Sequence, residues 1–195
     1  MTNDDPRAEA LIALAASIAA MGQAAEPTTA TVVPPGADAA KARDIVLRQL
    51  AMMPRPRAVL AGKLKAKEIP DDVAEAVLDR YTELGLIDDQ AYAELYVTAK
   101  HRDRGLGRYG LEAELRRQGV AEDDLRGAVT TIDEDAERRR ATELIGKRLA
   151  SALAAGPEAA RRRLLGQLSR RGYSSALAVS VVDEALAAAA QRGSA

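Results

Sequence analysis

The sequence predicts an all-α protein built from three tandem three-helix repeats, and three observations carry this prediction. Alanine and leucine dominate the apolar residues, and the only aromatic residues are five tyrosines, a composition that favours helices over sheets. A segment with two leucines four residues apart and a basic last turn occurs three times, beginning at Leu60, Leu111 and Leu164. These starts define an internal period of about 50 residues, which is typical of helical repeat proteins.

Each repeat is predicted to contain three helices, because capping residues mark helix ends at matching positions. Three aspartates precede the first helix of a repeat and are natural N-caps: Asp38, Asp88 and Asp133. Gly119 and Gly172 follow the middle helix of the second and third repeats, where a left-handed C-cap belongs. Glu68 stands at that position in the first repeat, so we expect its middle helix to end without an easy left-handed cap. Such repeats are expected to stack into an elongated, curved helix-turn-helix-like array with a long surface and no deep pocket.

The predicted organisation has five segments. They are an acidic, flexible leader at 1–37 with a possible short helix and a Pro/Thr-rich linker, three repeats at 38–87, 88–132 and 133–190, and a tail at 191–195. The first 40 residues hold one basic and five acidic residues, so the remainder has a net charge of +3 although the whole chain has −1. The apolar run at 10–20 follows acidic rather than basic residues, and no apolar run reaches 18 residues. We therefore expect a cytoplasmic protein without a membrane span.

Most catalytic and metal chemistry is excluded by composition. The chain has no cysteine and one histidine, His101, which is interpreted as a helix-end residue. Gly105, Gly107 and Gly110 fit the dinucleotide pattern G-x-G-x-x-G, but a helix rather than a strand is predicted before them, so we interpret them as a flexible interhelix turn. Paired carboxylates at helix starts are explained by capping and by the helix dipole rather than as acid–base pairs: Asp71/Asp72, Asp88/Asp89 and Asp123/Asp124. We expect no metal, no cofactor, no catalytic residue and no enzymatic activity.

Basic residues form three clusters, each centred on the middle helix of a repeat. The predicted basic stripe comprises Arg55, Arg57, Lys63, Lys65, Lys67, Lys100, Arg102, Arg104, Arg108, Arg116, Arg117, Arg161, Arg162, Arg163, Arg170 and Arg171. Such a stripe suits a phosphate backbone or an acidic protein groove. The alternative explanation is that Lys and Arg favour helix C-termini and solvated faces in any helical protein. Without Phe or Trp as stacking platforms, tight autonomous binding of single-stranded nucleic acid is not expected.

Four runs together resemble the RecX family, regulators of the RecA recombinase. They are VAEAVLDRYTELGLIDD at 73–89, AYAELYV at 91–97, RDRGLGR at 102–108 and ELRRQGV at 114–120. The resemblance spans roughly residues 40–186 and is densest over 54–120. Tyr92 stands where the family often has Phe, and the acidic leader has no family counterpart.

The resemblance implies a fold of three tandem three-helix repeats and a regulatory function without catalysis. It implies binding to RecA and to RecA filaments on single-stranded DNA, within the helical groove of the filament. It further implies inhibition of filament growth, ATP hydrolysis and strand exchange, and so negative modulation of recombination, DNA repair and the SOS response. A monomer with weak direct DNA binding is expected. Two alternatives stay open: an autonomous helix-turn-helix-like DNA-binding or transcription regulator, and a purely structural scaffold.

Overall fold

The computed structural model describes residues 36–193, which form nine helices and no strand. The helices are α1 (Ala37–Met52), α2 (Arg57–Lys65), α3 (Asp71–Glu83), α4 (Asp89–Arg104), α5 (Arg108–Arg117), α6 (Glu122–Thr130), α7 (Glu134–Leu153), α8 (Pro157–Arg170) and α9 (Ser175–Gly193). The predicted leader, apart from residues 36 and 37, and the last two residues of the predicted tail lie outside the described residues. No described helix is long and apolar enough to cross a membrane.

Each set of three successive helices encloses a hydrophobic core of its own. The leucine pair of the middle helix lies at the centre of each core: Leu60 with Leu64, Leu111 with Leu115, and Leu164 with Leu168, all at most 1% exposed. Apolar side chains of the two flanking helices complete the cores, among them Val46 and Leu78 in the first. The prediction of an all-α fold with three three-helix repeats is therefore confirmed, since the recurring leucine spacing marks the three core centres.

Two of the three predicted N-caps form. The Asp88 carboxylate accepts a hydrogen bond from the Ala91 N–H at 2.8 Å, and Asp133 caps α7 through the Ala136 N–H. The prediction for Asp38 is wrong, because α1 begins at Ala37 with Gly36 as its N-cap. Asp38 lies in the first turn, where its charge still complements the positive end of the helix dipole.

The three middle helices end in the same left-handed turn. Gly119 and Gly172 have φ values of 79° and 77°, and Glu68 takes the equivalent position with φ 57°. In each turn the next N–H bonds back to the second leucine of the pair, as Ile69 N–H does to the Leu64 carbonyl at 3.2 Å. Glu68 thus adopts a conformation that costs a residue with a Cβ about 1 kcal/mol, so the turn forms despite its sequence.

Candidate functional site

The glycine pattern at 105–110 forms a close junction between the second and third repeats. Gly107 N–H donates to the Arg171 carbonyl at 2.9 Å, and Tyr109 N–H donates to the Gly172 carbonyl at 3.1 Å. A Cβ on Gly110 would overlap the Arg171 carbonyl oxygen, and one on Gly107 would lie 2.6 Å from the Gly172 oxygen. The prediction of an interhelix turn is confirmed, because α4 ends at Arg104 and α5 begins at Arg108. The glycines also have a role that the sequence did not predict, since they let the start of α5 meet the end of α8 backbone to backbone.

Side chains of the third repeat also cap the end of α4. Arg140 donates to the carbonyls of His101 and Arg102, at 3.3 and 2.6 Å, and the Tyr173 hydroxyl donates to the Gly105 carbonyl at 3.2 Å. The last carbonyls of a helix lack partners within it, and a guanidinium also complements the negative end of the helix dipole. Burial raises the pKa of Tyr173 to about 12.

A carboxylate of the third repeat bonds to the first residue of α5. Glu137 is the one charged side chain that is buried in the described part of the chain. Its Oε1 accepts the Arg108 N–H at 2.9 Å, and its Oε2 lies 3.5 Å from Nε of the same arginine. The Arg108 guanidinium also donates to the Ile132 carbonyl. Arg108 therefore links the second repeat to the third.

The junction between the first and second repeats has the same plan. Asp89 accepts the Arg57 N–H at 2.8 Å, so a carboxylate of α4 caps the start of α2. Burial raises the pKa of Asp89, and the hydrogen bond from Arg57 partly opposes this rise. Gly119 follows the end of α5, and a Cβ on this glycine would overlap the side chain of Ala58 near the start of α2. At both junctions, the end of a later middle helix packs against the start of the preceding one.

Several cations of the predicted basic stripe are paired within the protein. Besides Arg108, the pairs are Arg57 with Glu75 (2.5 Å) and Asp79 (2.6 Å), Arg102 with Asp103 (2.8 Å), Arg116 with Glu122 (3.0 Å), Arg117 with Glu114 (3.9 Å) and Arg161 with Asp183 (2.8 Å). The Lys100 ammonium lies 5.2 Å from the centre of the Tyr96 ring. Exposed pairs of this kind contribute little to stability and exchange readily with other anions.

Other cations of the stripe have no ion-pair partner in residues 36–193: Lys63, Lys65, Lys67, Arg104, Arg162, Arg163 and Arg170. Arg55 is half-buried, and its Nε has no hydrogen-bond partner there. Arg171 donates to the carbonyl of Arg104, which ends α4. The stripe therefore divides into cations engaged inside the fold and cations left available.

The structure brings three cations of the stripe together in one groove between α7 and α8. Arg163, Arg170 and Arg171 line this groove of about 640 Å³, and Lys147 and Arg148 line its other side. We call these five residues the cationic groove. Sequence reasoning missed Lys147 and Arg148, although their one-turn spacing from Leu144 on α7 places them beside the core.

The remaining sequence candidates have structural roles. His101 lies in the last turn of α4, and its Nδ1 is 2.8 Å from the Leu106 carbonyl, to which it donates. Asp71, Asp72, Asp123 and Asp124 lie in the first turns of α3 and α6, where their charges complement the helix dipole. Their predicted capping role is wrong, because the N-caps of these helices are Pro70 and Ala121. Within residues 36–193, no group of acidic or histidine side chains is arranged to hold a metal ion.

Comparison with known proteins identifies the fold and the family. The family model described as RecX, first three-helix domain, matches residues 42–80, and that of the second three-helix domain matches residues 88–129. A crystal structure of RecX from Lactobacillus salivarius is similar in fold, with a TM-score of 0.71 at 20% identity over 76% of this chain and 96% of that one.

Sequence similarity to curated proteins extends over most of the chain. The regulatory protein RecX of Thermobifida fusca is 47% identical over 161 residues, which cover 80% of this chain and 87% of that protein. The regulatory protein RecX of Streptomyces lividans is 40% identical over 153 residues, which cover 78% of this chain and 81% of that protein. The chain therefore belongs to the RecX family of regulatory proteins.

Proposed function

We propose that the protein binds RecA and RecA filaments on single-stranded DNA, in the groove of the filament, and inhibits filament growth, ATP hydrolysis and strand exchange. It would thereby act as a negative modulator of recombination, DNA repair and the SOS response in the cytoplasm. Membership of the RecX family supports a regulatory role. The resemblance of residues 73–120 to RecA regulators supports RecA as the partner.

The observation that carries this proposal is the repeated junction between middle helices. The end of α5 packs on the start of α2, and the end of α8 packs on the start of α5. Each of these three middle helices carries cations, so cationic helices follow one another from repeat to repeat. A filament presents the same protomer surface and the same phosphates at regular intervals. A row of similarly charged sites suits such a periodic target better than it suits a single small ligand.

Inhibition then follows from binding alone. A chain that contacts neighbouring protomers hinders the movements between them that ATP turnover and strand exchange require. A chain that occupies the growing end also blocks incoming subunits, so the filament shortens. Neither effect needs a catalytic group, and we propose that the protein is not an enzyme.

Co-sedimentation with preformed RecA filaments on single-stranded DNA tests the proposal. We expect the protein to pellet with filaments. Reversal of the exposed pair at the end of α5, Arg116→Glu with Arg117→Glu, is expected to weaken this association and the inhibition. The matched control is Arg43→Glu with Arg192→Glu, which makes the same charge change at exposed arginines outside the basic stripe.

Failure of the unmodified protein to pellet with filaments would contradict the proposal. Sequence-selective binding to duplex DNA in the absence of RecA would favour an autonomous DNA-binding regulator instead. Equal pelleting of the Arg116/Arg117 variant and the control would remove the end of α5 from the contact.

A further inference from the structure

We infer that the cationic groove of the third repeat binds the phosphate groups of a single DNA strand directly, without a contribution from RecA. This inference rests on the proposed function, because that function makes single-stranded DNA an available ligand. It goes further by assigning the DNA contact to one groove, which includes Lys147 and Arg148 in addition to residues of the basic stripe.

The groove concentrates positive charge without internal compensation. Five cations and no carboxylate line it. Lys147, Arg148, Arg163 and Arg170 form no ion pair in the described part of the chain. The acidic residue one turn before Lys147 is Glu143, and it is bound to Arg140 at 2.7 Å. Crowded like charges repel one another, and an anion in the groove would relieve this repulsion.

On the side of α7 and α8 that faces α9, the cations of these two helices are paired with carboxylates. Arg138 of α7 binds Glu184 at 3.0 Å, and Arg161 of α8 binds Asp183 at 2.8 Å. Carboxylates of α9 thus neutralise the cations on one side of the helix pair. The groove lies on α7 and α8 away from these carboxylates, and its charge is left for an external partner.

The spacing of the groove cations suits an extended ligand. Arg163 and Arg170 lie two helical turns apart, about 10.5 Å along α8. The Arg170 guanidinium folds back over Gly166, where its Nη1 would lie 3.2 Å from an added Cβ. Lys147 and Arg148 face them from α7. A chain of phosphates in the groove would therefore meet cations on both sides and at successive positions.

The lining favours a nucleic acid over an acidic protein surface. The apolar side chains of the lining, Leu144, Ala152 and Leu164, are each buried in the core of the third repeat, with 8% exposure or less, so the exposed side chains of the groove are charged or polar. Protein interfaces depend on an apolar centre from which charges are depleted, whereas nucleic-acid interfaces are polar, wet and strongly positive. No aromatic residue lines the groove, so binding is expected to be independent of base sequence and sensitive to salt.

Fluorescence anisotropy with a labelled oligothymidylate, in the absence of RecA, tests the inference. Four unpaired cations predict a slope of log affinity against log salt of about −3. The groove variant is Lys147→Glu with Arg163→Glu, both at exposed positions. Its affinity should fall at least about tenfold, because each lost charge-assisted contact contributes on the order of a factor of ten. Arg43→Glu with Arg192→Glu again serves as the control of equal net charge, and helical circular dichroism checks that both variants fold.

The outcomes separate this inference from the proposed function. A loss of affinity confined to the groove variant supports the groove as the DNA site. Equal losses in both variants would mean that net charge alone attracts DNA, and would overturn the inference. A groove variant that keeps its DNA affinity but no longer inhibits RecA would overturn it in favour of an acidic protein surface. A protein that binds DNA through the groove but leaves RecA filaments unaffected would support the inference while contradicting the proposed function.

Discussion

Glu137 of the third repeat holds both the backbone N–H and the guanidinium of Arg108, the first residue of the middle helix of the second repeat. Asp89 forms the corresponding backbone bond to Arg57 at the preceding junction. A carboxylate of each following repeat thus satisfies an N–H that the start of a helix leaves without an internal partner. Polar contacts at helix ends are therefore a common feature of both junctions.

Removal of the Glu137 carboxylate should destabilise the protein. We expect Glu137→Ala to lower the free energy of unfolding by about 2 kcal/mol, less than for a fully buried ion pair because Arg108 keeps contact with water. Glu137→Gln should cost about half as much, since its amide oxygen can still accept the Arg108 N–H. Urea unfolding followed by circular dichroism measures both. The control Glu134→Ala, at an exposed position, should change stability by at most about 0.5 kcal/mol, and an equal loss there would contradict the assigned role of Glu137.

Two glycine-to-alanine substitutions should have opposite effects. Gly110→Ala places a Cβ against the Arg171 carbonyl, so the junction must open, at a cost of about 2 kcal/mol. Gly146→Ala, in the interior of α7 with open space around it, should raise stability by about 1 kcal/mol through helix propensity. Thermal unfolding of the two variants provides the comparison. Stabilisation by both would show that the backbones do not approach closely at Gly110.

The left-handed turn after α2 should be improved by glycine. Glu68 has φ 57°, a conformation that glycine adopts without steric cost. We expect Glu68→Gly to raise the free energy of unfolding by about 1 kcal/mol, measured by urea unfolding. Glu68→Ala keeps the Cβ and removes only the exposed carboxylate, so it should leave stability nearly unchanged. If the alanine variant were equally stabilised, charge rather than backbone strain would be responsible.

Alkaline conditions should weaken the fold through Tyr173. Burial raises the pKa of this tyrosine from 10 to about 12, so the unfolded chain loses the proton first. The contribution of this shift to the free energy of unfolding is complete below pH 10. It is lost as the pH rises towards 12, and the loss is about 2 to 3 kcal/mol. Tyr173→Phe removes a hydrogen bond to the Gly105 carbonyl, so it should be less stable at pH 8 by about 1 kcal/mol.

The same variant should lose less stability than the unmodified protein between pH 9 and pH 12. Urea midpoints measured at several pH values in this interval compare the two proteins. Parallel curves would contradict the role of Tyr173 in alkaline unfolding.

Local patterns in the sequence predicted most of the fold. Leu111 and Leu115 lie four residues apart on one helix face, and such a pair must be buried if the helix is to pack at all. Asp88 was recognisable as an N-cap because capping depends on the adjacent residues only. Asp38 was assigned incorrectly because Gly36, two residues earlier, is already the N-cap of α1. Gly36 has an extended backbone with φ 164°, and the helix begins at the next residue.

The junctions could not be predicted, because they depend on contacts between distant residues. Gly110 meets the backbone of Gly172, which belongs to the following repeat, and nothing in the local pattern identifies that partner. Glu137 is one of several acidic residues at the start of α7, and only the packing of two repeats separates it from Glu134. Which cations of the basic stripe are paired also depends on distant residues and could not be predicted. Asp183, for example, is the partner of Arg161 and lies on another helix.

The most direct measurement of the central claim is ATP hydrolysis by the cognate RecA on single-stranded DNA, titrated with this protein. The protein is added either before or after the filaments form, so that nascent and preformed filaments are compared. We predict inhibition at amounts well below one molecule per RecA, and stronger inhibition of nascent filaments if blocked growth contributes. Undiminished hydrolysis at equimolar protein, with the fold verified by helical circular dichroism, would contradict the account.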